Sequence, residues 1–395
     1  LKRTLYLFAA LILSLILTAC RSEIPQPEIE IISPIEGELL TEDSALTFTV
    51  TAPEGVLEQV KVSVDNKPVQ FKEVELRRFA RFSVPLPLAT LGNGEHLLAI
   101  QALATEDESS ALAFAERRFS SALPPAELRS ISLSPDTVPQ GQPITIDAVF
   151  SGEVKSVTGE LFDRQFPFYP VGENRWRALA SCRLFAVPGS EQFHLTFTDL
   201  AGAEHSEAYS FAVVDGEFPS YHIVLSESSG SRLNAETIER ESARTNAVVR
   251  EFSPEQLWEP GPFLRPVEGG HFTSPFGQRR TFSTGGSSSH LGTDFGGLPT
   301  GTPIMAVARG KVVMAEEMII RGNFVCIDHG RGLFSLYNHL SRGDVTVGQM
   351  VEAGDVIGLL GETGVATGPH LHLEMRLASW AVDPMTFLGN PPSYE

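Results

Sequence analysis

The chain has 395 residues, 42% hydrophobic and 20% charged, with 49 acidic against 30 basic side chains and a formal net charge of −19. At about 100–200 residues per domain, this length accommodates roughly two to four domains. The acidic balance argues against nucleic acid as a partner, because phosphate recognition needs clustered Lys and Arg.

The first segment, LKRTLYLFAALILSLILTAC, opens with Lys2 and Arg3, continues as an apolar run from Leu5 to Leu17, and ends in small residues before Cys20. That is the layout of a secretory signal peptide over residues 1–19. The run is 13 residues long, short of the ~20 that span a bilayer. Leu17-Thr18-Ala19-Cys20 resembles the bacterial lipobox, which implies cleavage before Cys20, its lipidation, and a short tether over 20–26. Inserted acyl chains would hold such a chain at a membrane face. Arg21 and Ser22 follow the cysteine in place of the Asp that retains many lipoproteins at the inner membrane. The expected location is therefore the outer membrane, facing the periplasm. Cys182 and Cys326 lie far apart in apolar surroundings and read as small buried hydrophobes, not as a disulfide.

From about residue 24 to 215 the pattern is short strands separated by turns. LTFTVT puts Leu46, Phe48 and Val50 on one face; ITIDAVF does the same with Ile144, Ile146, Ala148 and Phe150. A faint repeat links IEIISPIEG with RSISLSPDTVPQG, and GEHLLAIQALATED with GSEQFHLTFTDLAG, at an offset of about 100 residues, the size of one immunoglobulin-like sandwich. Two such sandwiches are expected over 27–122 and 127–216, without the disulfide-and-Trp hallmark of true immunoglobulin domains. Their histidines, His96, His194 and His205, and His222 just beyond, share no spacing pattern and read as structural or exposed. With no convergent titratable cluster, the sandwiches are expected to supply reach. Residues 231–252 are rich in helix formers, with Asn234 as N-cap and Glu236 four before Arg240, and predict a solvated connecting helix.

The last third carries the chemistry. In GPHLHLE, His370 and His372 are two apart, so on a strand they share a face while Leu371 and Leu373 point into a core. Such a pair suits a metal site, a proton-transfer pair, or one of each. In SSSHLGTDFGG, His290 and Asp294 are four apart, but Gly292, Gly296 and Gly297 disfavour a helix. On a strand, 290, 292 and 294 share a face, and Gly292 leaves room for a cation between the two ligands. One carboxylate with two imidazoles is a familiar donor set for catalytic zinc, which keeps a fourth position open.

Three blocks in this order, SSHLGTDF, YNHLSRG and ATGPHLHLE, resemble the motifs of the lysostaphin/LytM-type zinc endopeptidases, which cut the peptide part of bacterial cell walls. The likeness covers roughly 262–388 and extends to SPFGQRR, GTPIMAVARGKVV and VDP. It implies a small antiparallel β peptidase domain, so that the whole chain is expected to be mainly β: two immunoglobulin-like sandwiches, a connecting helix and this domain. It also implies one zinc ion held by His290, Asp294 and His372, with His339 and His370 as catalytic histidines. The implied substrate is the peptide cross-link of peptidoglycan, with the D,D-type bond favoured for a periplasmic lipoprotein. The competing reading is a non-catalytic envelope scaffold or activator of other wall hydrolases; the complete ligand set favours the enzyme. Elsewhere in the domain, His329 is expected in a hairpin turn and His271 at an exposed strand start. Arg279, Arg280 and Tyr337 are placed equally well as structural residues or as substrate contacts.

Overall fold

The computed structural model describes residues 24–71, 77–123, 125–224, 231–251, 253–283 and 285–389. The signal-peptide and Cys20 expectations lie outside these residues. The chain divides into two compact units between residues 124 and 125.

In the first unit, strands Glu28–Ser33, Ser44–Thr51 and Phe79–Leu86 form one sheet. The other sheet runs Glu38–Leu40, Ser109–Ser121, Gly94–Glu106, Val56–Val64 and Lys67–Pro68. Alternation decides what goes between them. Leu46, Phe48 and Val50 are fully buried and share one core with Val62, Leu98 and Ile100 of the opposite sheet. Phe48 stacks on Phe82 with ring centroids 4.6 Å apart.

The second unit opens with a sandwich of the same plan. Leu128–Ser134, Pro143–Phe150, Arg175–Ser181 and Tyr169–Gly172 face a sheet of Thr137–Pro139, Glu204–Val214, Gly189–Asp199, Val154–Leu161 and Arg164–Pro167. In both sandwiches the second strand adds in parallel to the last one. The sequence repeat is therefore a repeat of topology.

The C-terminal domain is built on a long antiparallel sheet. Its order is His271–Ser274, Thr293–Gly296, His370–Leu377, Leu333–Leu340, Gly322–Gly330, Gly310–Met318 and Met350–Val351. One face buries Phe295, Val325, Ile327, Tyr337, Leu371 and Leu373 in a large core. The other face is shared. Met314, Phe324, Cys326, Phe334 and Leu336 cover one end with Val249, and polar residues occupy the rest. Cys182 and Cys326 are buried free thiols.

Two expectations gain detail here. The helix, Ala235–Val248, is capped by Asn234, whose Oδ1 accepts the Thr237 N–H at 2.9 Å; most of its residues are exposed, but one face is docked. Its Glu241 carboxylate is 7% exposed and accepts the backbone N–H groups of Ile319 and Ile320 at 2.6 and 3.0 Å. The polar face of the helix thus closes a hairpin turn whose amides would otherwise lack acceptors. Likewise, the second sandwich is no free-standing spacer. Its Leu179 lies in the core of the C-terminal domain. Ser181 Oγ donates to the Leu377 carbonyl at 2.9 Å, and the Asp383 N–H donates to the Gly141 carbonyl at 3.0 Å.

Candidate metal centre

Asp294 and His372 are register partners in adjacent antiparallel strands, so their side chains leave the sheet on one face. Leu371 and Leu373 are fully buried on the other face, as the H-x-H spacing predicts. His290 arrives differently. No strand runs through 290, 292 and 294: His290 lies between the Ser287–Ser289 and Thr293–Gly296 strands, and Gly292 forms a bend. A Cβ at Gly292 would sit 2.2 Å from the Leu373 carbonyl oxygen and 2.9 Å from His372 Nε2. Only glycine lets this bend pass so close to the neighbouring strand.

The three groups converge. His290 Nε2 is 2.7 Å from His372 Nδ1, which is 2.8 Å from Asp294 Oδ1; His290 Nε2 is 3.0 Å from the same oxygen. Each group is also held from behind. His290 Nδ1–H donates to the Pro275 carbonyl at 2.8 Å, which leaves Nε2 with its lone pair. His372 Nε2 faces Glu374 Oε1 at 3.3 Å, which leaves Nδ1 as the ligating atom. Asp294 Oδ2 accepts from Arg280 Nη2 at 3.0 Å. Glu374 is in turn clamped by Arg321 and by Arg376, whose Nη2 is 2.6 Å away.

These residues fit a divalent ion. Tetrahedral bonds of about 2.0–2.2 Å put ligand atoms about 3.3 Å apart, and the donors need to open by only a few tenths of an ångström to reach that spacing. Two nitrogens and a carboxylate oxygen, each with an orienting partner, are a donor set that zinc takes. The electrostatics agree. Burial opposes charge on Asp294, but the adjoining His290 and His372 rings outweigh it and hold the carboxyl well below its usual range. Burial pushes His290 down to about 4. Burial also opposes charge on Glu374, and the Arg321 and Arg376 guanidinium groups overcome it.

His339 and His370 stand beside this trio. Their ring centroids are 4.9 Å apart, and His370 Nε2 is 3.9 Å from Asp294 Oδ1. Each donates Nδ1–H to a backbone carbonyl at 2.8 Å, His339 to Thr363 and His370 to Gly368, which leaves both Nε2 atoms to exchange protons. His339 has φ +63°, a left-handed conformation uncommon outside glycine. Its N–H is tied to the Arg321 carbonyl at 2.8 Å. Such strained backbone clusters at functional sites.

All five expected site residues of the domain are therefore brought together. Among the others, Tyr337 is fully buried, and its hydroxyl accepts the Val307 N–H at 2.8 Å. His329 is also fully buried, at the end of a strand and not in a turn, with Nδ1 donating to the Arg309 carbonyl and Nε2 beside Ser335 Oγ, both at 2.8 Å. His271 is exposed at the first residue of its strand. Sequence reasoning missed Glu374, Arg321 and the carbonyls of Pro275, Thr363 and Gly368. Only Glu374 carried a signal: two residues after His372, it shares that strand face.

Residues 288–384 match the family described as Peptidase family M23. An uncharacterized metalloprotease of Haemophilus influenzae is 42% identical over 116 residues, 29% of this chain and 24% of the relative. Peptidoglycan DD-endopeptidase ShyA of Vibrio cholerae is 45% identical over 96 residues, 24% of this chain and 22% of the relative. The match thus spans about a quarter of these curated relatives' own length. Among solved structures, a candidate peptidase M23 from Pseudomonas aeruginosa is 31% identical, covering 64% of this chain and 95% of that one, with a TM-score of 0.48.

Proposed function

We propose that the C-terminal domain, whose residues 288–384 match Peptidase family M23, is a zinc endopeptidase hydrolysing peptide cross-links of bacterial peptidoglycan. The convergence of His290, Asp294 and His372, each already oriented from behind, carries this reading. Similarity to a protein named a DD-endopeptidase supports the D,D-type cross-link as the bond cut. When bound, zinc supplies Lewis acidity, acidifying water and polarising a scissile carbonyl.

The chain's own residues do the rest. Pro275, Glu374 and Arg280 fix the three ligands, so little reorganisation is needed when charge develops. His339 and His370, with Nδ1–H fixed on carbonyls, offer two Nε2 atoms, one to accept a proton and one to donate to the developing oxyanion or leaving amine. Each such contribution is worth about 10²–10⁴-fold. We further place the domain on a lipoprotein anchored through Cys20 to the outer membrane and facing the periplasm, a reading supported by the lipobox-like LTAC segment.

The test separates binding from chemistry. The full chain should hold one zinc per molecule, and Asp294→Ala should lose it. His339→Ala and His370→Ala should keep the metal and lose hydrolysis of purified wall fragments by about 10²-fold or more. Unchanged zinc content in Asp294→Ala overturns the ligand set; intact hydrolysis in both histidine variants overturns their roles. For the anchor, acyl labelling that persists in Cys20→Ser overturns the lipobox reading.

A further inference from the structure

The hairpin that leads into His290 has a second face. Its strands Arg279–Phe282 and Ser287–Ser289 pair antiparallel, and a strand from outside the family match, Ser220–Ile223, adds in parallel to Arg279–Phe282. We propose that the trough on this small sheet is a subsite for carboxylate-bearing wall peptide, shared between the peptidase domain and the segment that follows the second sandwich. The proposal rests on the peptidoglycan reading above.

The trough has a volume of about 620 Å³, within the ~300–1,000 Å³ range of small-ligand sites. Its lining includes Arg279, Arg280, His222 and Tyr221 and, among the described residues, contains no carboxylate, on a chain of net charge −19. The two arginines have different roles, because successive strand residues point to opposite faces. Arg280 turns its guanidinium to Asp294. Arg279 shares the other face with its register partners Ser220 and Ser289. Its nearest acidic neighbour, Asp215, is 3.9 Å away, and both side chains are 56% exposed. A pair that open to water is worth little, so the guanidinium is available to a better partner. A carboxylate in forked geometry is that partner.

An aromatic ring completes the site. Phe185, 65% exposed, lines the trough and offers flat apolar surface for the aliphatic parts of a peptide, while Arg279 and the Ser289 hydroxyl take its charge.

The experiment uses the full chain and two probes, a wall tripeptide with free carboxylates and its fully amidated analogue, with binding measured by calorimetry. The parent protein should prefer the free acid by about fivefold. Arg279→Gln should abolish that preference, and Arg279→Lys should restore part of it. Equal binding of the two probes by the parent, or a preference undiminished in Arg279→Gln, overturns the subsite. Hydrolysis of cross-linked wall fragments by the same proteins separates the two readings. Intact hydrolysis without a free-acid preference sinks the subsite alone. An Arg279-dependent preference without hydrolysis keeps the subsite and sinks the peptidase.

Discussion

His372 offers Nδ1 to a metal only while something else occupies its Nε2, and that something is a carboxylate two residues further along the same strand. Glu374 can do this work in the interior because Arg321 and Arg376 keep it ionised against burial. The cost of burying the charges is offset by mutual hydrogen bonds, as a buried ionic group requires. Across the sheet a second buried histidine is held for a different end. Among the described residues His329 has no carboxylate partner; burial pushes it down to about 4, and the Arg309 carbonyl only partly opposes this. The folded state therefore keeps His329 neutral while the unfolded chain protonates near 6.5, and stability is fully present above 6.5 and lost as pH falls toward 4. Between pH 7 and pH 5 the linkage amounts to about 2 kcal/mol. His329→Asn should lower stability at neutral pH yet flatten the acid side of the curve by about that amount, as read from denaturant unfolding at the two pH values. An unchanged slope means that His329 is not the group that titrates.

At the scale of elements, the helix shows how a docking contact reaches the site. Glu241 secures the turn at Ile319, Ile320 and Arg321; Arg321 grips Glu374 and, through its carbonyl, the backbone of His339. Outside this turn Arg244 forks onto Glu316 at 2.5 and 2.6 Å, but that contact is exposed. Glu241→Ala removes the acceptor of partly buried N–H groups, each hydrogen bond to a charged acceptor being worth about 1.5–3 kcal/mol. It should destabilise the second unit by about 2–4 kcal/mol and speed amide exchange at 319–321. Arg244→Ala should do neither, and equal effects from the two variants would show that the helix docks only through its rim. None of this was legible beforehand, because a Glu in a Glu/Arg-rich helix reads the same whether it faces water or a turn. The strands were legible for the opposite reason. Alternation such as Leu46-Phe48-Val50, or His370-His372 against Leu371-Leu373, states both the element and its buried face. The His290–Asp294 spacing picked out two residues that do converge, but through the wrong local structure, since a bend at Gly292 and a continuous strand leave the same four-residue gap in the sequence.

At the scale of the whole molecule, the second sandwich and the peptidase domain share their interiors. Leu179 of the sandwich lies in the peptidase core, and Ala378 of the peptidase domain lies in the sandwich core. Leu184 and Phe218 pack with Phe276 and Leu291, the residues that flank Pro275 and His290. The fit is close: a Cβ on Gly141 would lie 2.2 Å from Cε1 of the Phe276 ring. The carbonyl that orients His290 thus sits in a turn braced by another domain, and a 1 Å slackening of such a support is enough to cost about 10²-fold in rate. Nothing in the alternating strands of 127–216 announced this, because residues that brace a neighbour follow the same pattern as residues that fill their own core. The first unit has a core of its own and is a separate compact unit. Removing residues 27–122 should therefore leave hydrolysis of soluble wall fragments within about twofold of the full chain. Removing 127–216 should expose Leu179's pocket, loosen the 275–277 turn and reduce hydrolysis by about 10²-fold or more. It should also produce a domain that binds zinc less tightly, read by competition with a chelator. A 127–216 deletion that is folded, loaded with zinc and fully active would show that the peptidase domain holds His290 unaided, and the brace would then have to be abandoned.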